Sequence, residues 1–280
     1  MARLGHNRYG KSRVRVSRIS RHGDRHEFQE WTVGVLLEGD FVESYTQADN
    51  SKVLPTDTMK NTVYSLARGS KAATIEEFAM ELGDYLLHNH AHIARVSVEI
   101  AEHAWQPLVV DGRDENTTFK LNGAELQTVD ASRERDGQWR IASGVDQLTI
   151  LKTTKSAFTG YIKDRLTTLK PATDRILGTC ATIRWEYESK ISDYAGVRSK
   201  VMQALLREFA AHDSKSVQHT LFDMGKAALA AAPEIARITL TMPNLHHLLA
   251  DLSPFGQDNP NHIFVPIDEP HGTIEATVER

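Results

Sequence analysis

The chain has 280 residues, 40% hydrophobic and 25% charged, with a formal net charge of −4. That length allows one large domain or two ordinary ones with a sizeable core, and the mild acidity gives no basis for nucleic-acid or membrane partners. Cys180 is the single cysteine, which excludes an intrachain disulfide and a cysteine-based metal centre and fits a reducing, cytoplasmic compartment. The first residues lack the apolar core of a signal peptide, and no run approaches the roughly 18 apolar residues of a membrane span.

In chain order, Val14 and Val16 alternate with Arg13, Arg15 and Ser17, which predicts a first strand with one basic face. A polar turn at His22-Gly23-Asp24 leads to a more buried strand over Phe28–Leu37. Pro55 biases Leu54 away from helix, and Asp57 is expected to cap a helix over Thr58–Leu66. Thr74-Ile75-Glu76-Glu77 is a capping box. It opens a second helix whose apolar stripe is Ile75, Phe78, Leu82 and Tyr85. Strands are then expected at Ile93–Ile100, Trp105–Val110 and Thr117–Val129, with a turn at Asp111-Gly112-Arg113-Asp114. The turn Arg135-Asp136-Gly137-Gln138 is the best domain boundary, giving domains 1–136 and 137–280.

The second half repeats the order. Strands are expected from Gln138 to Thr154 and from Thr179 to Glu188, and helices from about Ser199 to Ala211 and from about Ser216 to Ala231. A strand follows at Ile235–Met242. Ile93-Ala94-Arg95-Val96 and Ile235-Ala236-Arg237-Ile238 both follow an amphipathic helix, 142 residues apart, which indicates a tandem duplication. Two consecutive helices cannot serve as parallel crossovers for every strand pair. Each half is therefore an α+β unit, an antiparallel sheet with two helices on one face. Its other sheet face is expected to be covered by further copies of the chain.

Several residues carry chemistry on their type and place. Within Leu148–Arg175 a strand leads to Phe158 and Tyr161 and ends at Arg175. An aromatic face and a guanidinium fork suit a flat, anionic heterocycle. Lys11 precedes the arginine-bearing first strand; a solvated edge lysine is the plain reading, and a role as neutral base would require burial and cationic neighbours. Thr56 and Asp57 open a helix whose N–H groups suit an anion. Val217 and Gln218 open another helix, and Gln218 offers both a donor and an acceptor. Asn244 and His246 share one side of an extended segment. His88, His90 and His92 fall at a helix end, where the dipole accounts for them better than a metal does. Phosphate-loop and dinucleotide fingerprints are absent, and no metal or cofactor is expected.

These motifs together resemble one family. Tyr9-Gly10-Lys11, Val53–Thr62, the Leu148–Arg175 block, Ser216-Val217-Gln218 and Pro243-Asn244-x-His246 are similar, in order, to urate oxidase (uricase) over nearly the whole chain. Leu166, where the family usually has an aromatic, and the loop 253–262 depart from its pattern. The resemblance implies tandem tunnelling-fold (T-fold) domains and a homotetramer with active sites shared between chains. It implies cofactor-free oxidation of urate by O₂ and water to 5-hydroxyisourate and hydrogen peroxide, in purine catabolism. Lys11, Thr56 and His246 would be catalytic. Asp57, Phe158, Arg175, Val217, Gln218 and Asn244 would bind substrate. The alternatives are another T-fold enzyme acting on a pterin or purine, and a catalytically silent purine-binding protein.

Overall fold

The computed structural model describes residues 2–280, the side chain of Asp268 excepted. The chain divides into two compact units, Met1–Val145 with Glu186–Ala195, and Asp146–Trp185 with Gly196–Arg280. Each is a run of antiparallel strands with two long helices between its second and third strands, the α+β pattern expected from the sequence.

The first unit contains β1 (Tyr9–His22), β2 (Arg25–Gly39), α1 (Val42–Thr46), α2 (Thr56–Gly69), α3 (Ile75–Asn89), β3 (Ile93–Val110) and β4 (Arg113–Glu134). Its strands pair antiparallel in chain order. Along β2 every second residue is buried, Trp31, Val33, Val35 and Leu37 being at most 1% exposed, as a sheet with one helix-covered face requires. Helix α2 buries Met59, Val63 and Ala67, and Phe78 of α3 stacks on Trp31 at 4.9 Å. The capping box forms as expected: Glu77 N donates to Thr74 Oγ1 at 3.3 Å, and the Glu77 carboxylate accepts from Thr74 N. Tyr85 lies at the edge of the α3 stripe and is exposed, and Leu86 fills the core position instead. The two strands expected at Ile93–Ile100 and Trp105–Val110 are one, β3, with register shifts where a break was read. α1 had no sequence counterpart.

The second unit is built from β5 (Arg140–Lys152), β6 (Leu177–Tyr187), α4 (Tyr194–Ala211), α5 (Val217–Ala231), β7 (Ile235–Leu249) and β8 (Phe264–Glu279). Its strands neighbour one another in chain order, and β7 pairs antiparallel with β8. Leu177, Ile183, Trp185, Leu221, Met224, Leu240 and Met242 form the centre of its core. Helix α4 begins five residues earlier than the pattern suggested. β8, rich in Thr and Glu with most residues exposed, was not placed by periodicity at all.

The duplication is legible down to atoms. Arg135 donates from Nε to Ile93 O at 2.9 Å, from Nη1 to Leu87 O at 2.8 Å and from Nη2 to His90 O at 2.5 Å. Arg280 does the same one repeat later, to Ile235 O at 3.0 Å, Ala232 O at 3.1 Å and Leu229 O. In each unit one guanidinium satisfies the open carbonyls at the end of the second helix and ties them to the strand that follows. The helix glycines correspond too. A Cβ at Gly83 would meet the Trp139 ring at 2.4 Å and Val96 Cγ1 at 3.0 Å, and one at Gly225 would meet Val278 at 2.6 Å and Ile238 at 3.5 Å. Both helices lie on their sheets at a separation only glycine permits.

Arg135→Ala should therefore destabilise the protein by about 2 kcal/mol, because several carbonyls lose a charged donor at once. Chemical denaturation checks this; a change below about 0.5 kcal/mol would remove the clasp from the account.

Candidate active site

Three of the expected site residues lie in the first unit. Gly10 and Lys11 are in β1 where it crosses closely over β2: a Cβ at Gly10 would sit 1.8 Å from Val35 O. Immediately after Lys11 the register shifts, since Lys11 faces Val35 whereas Val14 faces Val33. The extra residue is absorbed with Arg13 at φ 58°, a β-bulge that re-aims the neighbouring side chains. The Tyr9 hydroxyl then binds this strand to the segment before α2, accepting from Leu54 N at 2.8 Å and donating to Leu54 O at 3.2 Å.

Helix α2 starts at Thr56, two residues earlier than expected, and Pro55 occupies the cap position without a side-chain cap. Asp57 is thus not the cap. It sits in the first turn, paired with Lys60 and accepting from Asn61 Nδ2 at 3.0 Å. Lys60 holds its carboxyl below the usual range, with Lys11 adding a smaller electrostatic contribution. Since no side chain caps the turn, its free N–H groups keep the partial positive charge of a helix start.

The other six lie in the second unit, and here the structure joins segments far apart in sequence. Phe158 N donates to Ala172 O at 2.8 Å and Ala172 N to Phe158 O at 3.1 Å. Ser156 is bridged to Ser214, Ala157 N donating to Ser214 O at 2.8 Å. Asp174 closes the loop, accepting from Thr154 Oγ1 at 2.7 Å and from Ser156 N at 3.2 Å. This lattice seats Arg175 with its guanidinium carbon 5.2 Å from the Phe158 ring centre. Tyr161 stacks on Phe158 at 4.9 Å and 13°, so one aromatic face is already covered.

Arg175 is about half buried, which pushes its pKa down, and its Nε has no hydrogen-bond partner. A buried cationic donor of this kind costs free energy unless an acceptor meets it. Asn244 and His246 follow on β7, with Asn244 Nδ2 3.3 Å from His246 Nδ1. Burial lowers the His246 pKa first, then the positive charge of Arg175, then His271. Val217 is buried and Gln218 exposed at the start of α5. There Ser216 accepts from His219 N at 3.1 Å, and the bridge to Ser156 places this helix start beside the Phe158 loop.

A family profile described as Uricase matches residues 7–132 and 141–275. The chain belongs to the uricase family. It is 40% identical to the uricase of Arthrobacter globiformis over 278 residues, covering 99% of this chain and 90% of that one. It is 36% identical to the uricase of Cyberlindnera jadinii, covering 99% and 97%. The crystal structure of the Arthrobacter globiformis uricase superposes with a TM-score of 0.95 at 38% identity over 100% of this chain and 96% of that one. A uricase from Bacillus fastidious superposes with a TM-score of 0.84 at 25% identity over 98% and 93%. The two units are accordingly tandem T-fold domains.

Two residues that act on the candidate site were not singled out in the sequence. Asp174 acts across 20 residues on Thr154, a pairing no local spacing announces. His271, on β8, reaches His246 electrostatically, and β8 itself was unread. Within the family pattern, Leu166 is 70% exposed, so its departure leaves the core untouched. The 253–262 loop holds a 3-10 turn at Ser253–Phe255 and is clasped by Asn259 Nδ2 donating to Ala250 O at 2.9 Å and to Ile263 O at 2.7 Å.

Because its pKa lies below the ordinary 6.5, His246 stays neutral to lower pH than a free histidine and loses that form only as pH falls further. If His246 carries the acid limb of kcat/KM, that limb lies below pH 6.5 and vanishes in His246→Gln. A limb unchanged in the variant would assign it to another group.

Proposed function

We propose that the protein is a cofactor-independent urate oxidase that converts urate, O₂ and water to 5-hydroxyisourate and hydrogen peroxide in purine catabolism. Family membership over almost the whole chain supports the reaction. The observation that supports the site is the half-buried Arg175, its Nε unpartnered beside the Phe158 ring.

The purine stacks on the Phe158 face left free by Tyr161, contributing roughly 1–3 kcal/mol if it behaves like other base–aromatic stacks. The Arg175 fork takes a ring nitrogen and a carbonyl oxygen side by side, and Gln218 takes the pyrimidine edge. Backbone N–H groups of Val217 and of Asp57, at two helix starts, complete the anion's hydrogen bonds. Lys11 lowers the proton affinity of Thr56, and His246, in its neutral form, continues the relay that removes a proton from the urate anion. The resulting dianion is electron-rich enough to give two electrons to O₂, which leaves as hydrogen peroxide after taking two protons. Water then supplies the hydroxyl of the product. Asn244 holds O₂, and later water, above the ring.

Lys11, Thr56 and Asp57 on one side and the other six residues on the other would meet between chains of a homotetramer, the copies also covering the open sheet faces. A cytoplasmic location accords with the single free cysteine, Cys180, and, among the described residues, no helix is long and apolar enough to cross a membrane.

Dialysed protein in EDTA should consume urate, followed by loss of its ultraviolet absorbance, and release an equivalent of peroxide. Urate binding without peroxide would leave only a purine-binding protein. Lys11→Met should lower kcat by roughly 10²-fold or more, the range of a positioned acid–base group, with little change in urate affinity; a raised KM at constant kcat would remove Lys11 from the relay. Arg175→Ala should chiefly weaken binding of a urate analogue, by roughly tenfold or more for a lost charged hydrogen-bond pair. An unchanged Kd would exclude Arg175 from the ligand.

A further inference from the structure

Next to the helix start that carries Val217 and Gln218, the junction of α4 and α5 gathers His212, His219 and Asp223, with one ligand atom from each within 4.8 Å of the others. His212 lies just past the end of α4, its N–H still bonded to Glu208 O at 2.9 Å. Lys152 holds that end in place by donating to the carbonyls of Phe209 and His212. His219 and Asp223 are four apart on α5 and so share one helix face. The turn between the helices is fixed by the Ser156–Ser214 bridge and by the Ser216 cap. The three groups are therefore placed by rigid elements, without reliance on a mobile loop.

The separations discriminate between two explanations. Asp223 Oδ2 lies 3.4 Å from His212 Nδ1 and 3.3 Å from His219 Nε2, and Glu208 Oε1 lies 3.5 Å from His212 Nδ1. Charge-assisted hydrogen bonds between these groups would run at about 2.7–2.9 Å, so all three distances are long for ion pairs. They match the edge of a tetrahedron, about 3.3 Å, around an ion bonded at about 2.0–2.1 Å to nitrogen and oxygen. The His212 side chain is only 9% exposed. Asp223 Oδ2 is thus about equally far from one nitrogen of each ring and at ordinary hydrogen-bond length from neither, a spacing that a shared cation accounts for. Lys226, 3.1 Å from Asp223 Oδ1, takes the other carboxylate oxygen from an exposed position and leaves Oδ2 to the two rings.

We propose that His212, His219 and Asp223 form a three-ligand binding site, its fourth position open to water, for a divalent transition-metal ion of the Zn²⁺ class. Two imidazoles and a carboxylate oxygen are a donor set such ions take. The ion clips the end of α4 to the first turns of α5, beside Gln218, and serves the fold, with no part in oxygen chemistry. The site stands on these three residues whatever the substrate.

The test uses full-length protein freed of metal by chelation and dialysis. Titration with Co²⁺, read by its visible ligand-field bands, and with Zn²⁺ by calorimetry, should give one equivalent per chain with the intense spectrum of a four-coordinate site, and Zn²⁺ should raise the melting temperature. His219→Ala and Asp223→Ala should each weaken binding at least roughly tenfold and abolish the thermal shift, whereas His88→Ala, in the separate histidine cluster, should leave both intact. Absence of saturable binding, or binding undiminished in both variants at whatever stoichiometry, overturns the proposal. His219 is exposed, so its loss is read on a folded protein.

Discussion

Everything in this protein depends on holding two helices close against a short stack of antiparallel strands, twice. Gly83 and Gly225 allow contacts of α3 with Trp139 and Val96, and of α5 with Val278 and Ile238, that any side chain would block. Arg135 and Arg280 then fasten the ends of the same helices to the strands that leave them. A helix end normally leaves several carbonyls to water. Here one guanidinium takes two of them and the first carbonyl of the next strand, so that strand starts in a fixed place. Since β7, which carries Asn244 and His246, is that strand in the second unit, the clasp positions chemistry as well as structure.

The site elements show the same economy of fixing a few backbone points and letting side chains follow. Gly10 lets β1 press on β2, the bulge at Arg13 turns the strand, and Tyr9 pins it to Leu54, so Lys11 and the start of α2 are mutually placed. In the second unit Asp174, Ala172 and Ser214 anchor an otherwise irregular stretch at three points. Irregular backbone between a strand and a helix is ordinarily mobile. With those ties it can hold Phe158 and Arg175 at 5.2 Å and bear the cost of a half-buried guanidinium. The lowered pKa of His246 follows from the same crowding: burial and the Arg175 charge both favour the neutral imidazole.

Much of this was readable in the chain. The alternation at Trp31–Leu37 and the Thr74–Glu77 box specify their elements by local rules that tertiary contacts do not override. Readings failed where locality failed. Tyr85 has the helical spacing of a core residue, but a stripe of finite width makes Leu86 the better-buried neighbour. Asp57 looks like a cap, but Pro55 already has the extended backbone that precedes a helix, so the first turn begins at Thr56. β8 does alternate at its end, Ile274, Ala276 and Val278 against Thr273, Glu275, Thr277 and Glu279, but Pro266, Pro270 and Gly272 interrupt its first half, and pairing with β7 makes one strand of the two parts.

By itself the sequence determined the class of each unit, its duplication, and the residue types available to grip a planar anion, because periodicity, turn chemistry and motif order are properties of neighbouring residues. Only the tertiary structure decided that Asp174 seats Arg175, that Tyr161 covers one face of Phe158, and that His212 meets His219 and Asp223. Asp174 reaches back to Thr154, and His212 reaches from the end of one helix to Asp223 on the next, across separations that carry no signal; Phe158 and Tyr161 are close in sequence, but no periodic rule applies to the irregular loop that stacks them.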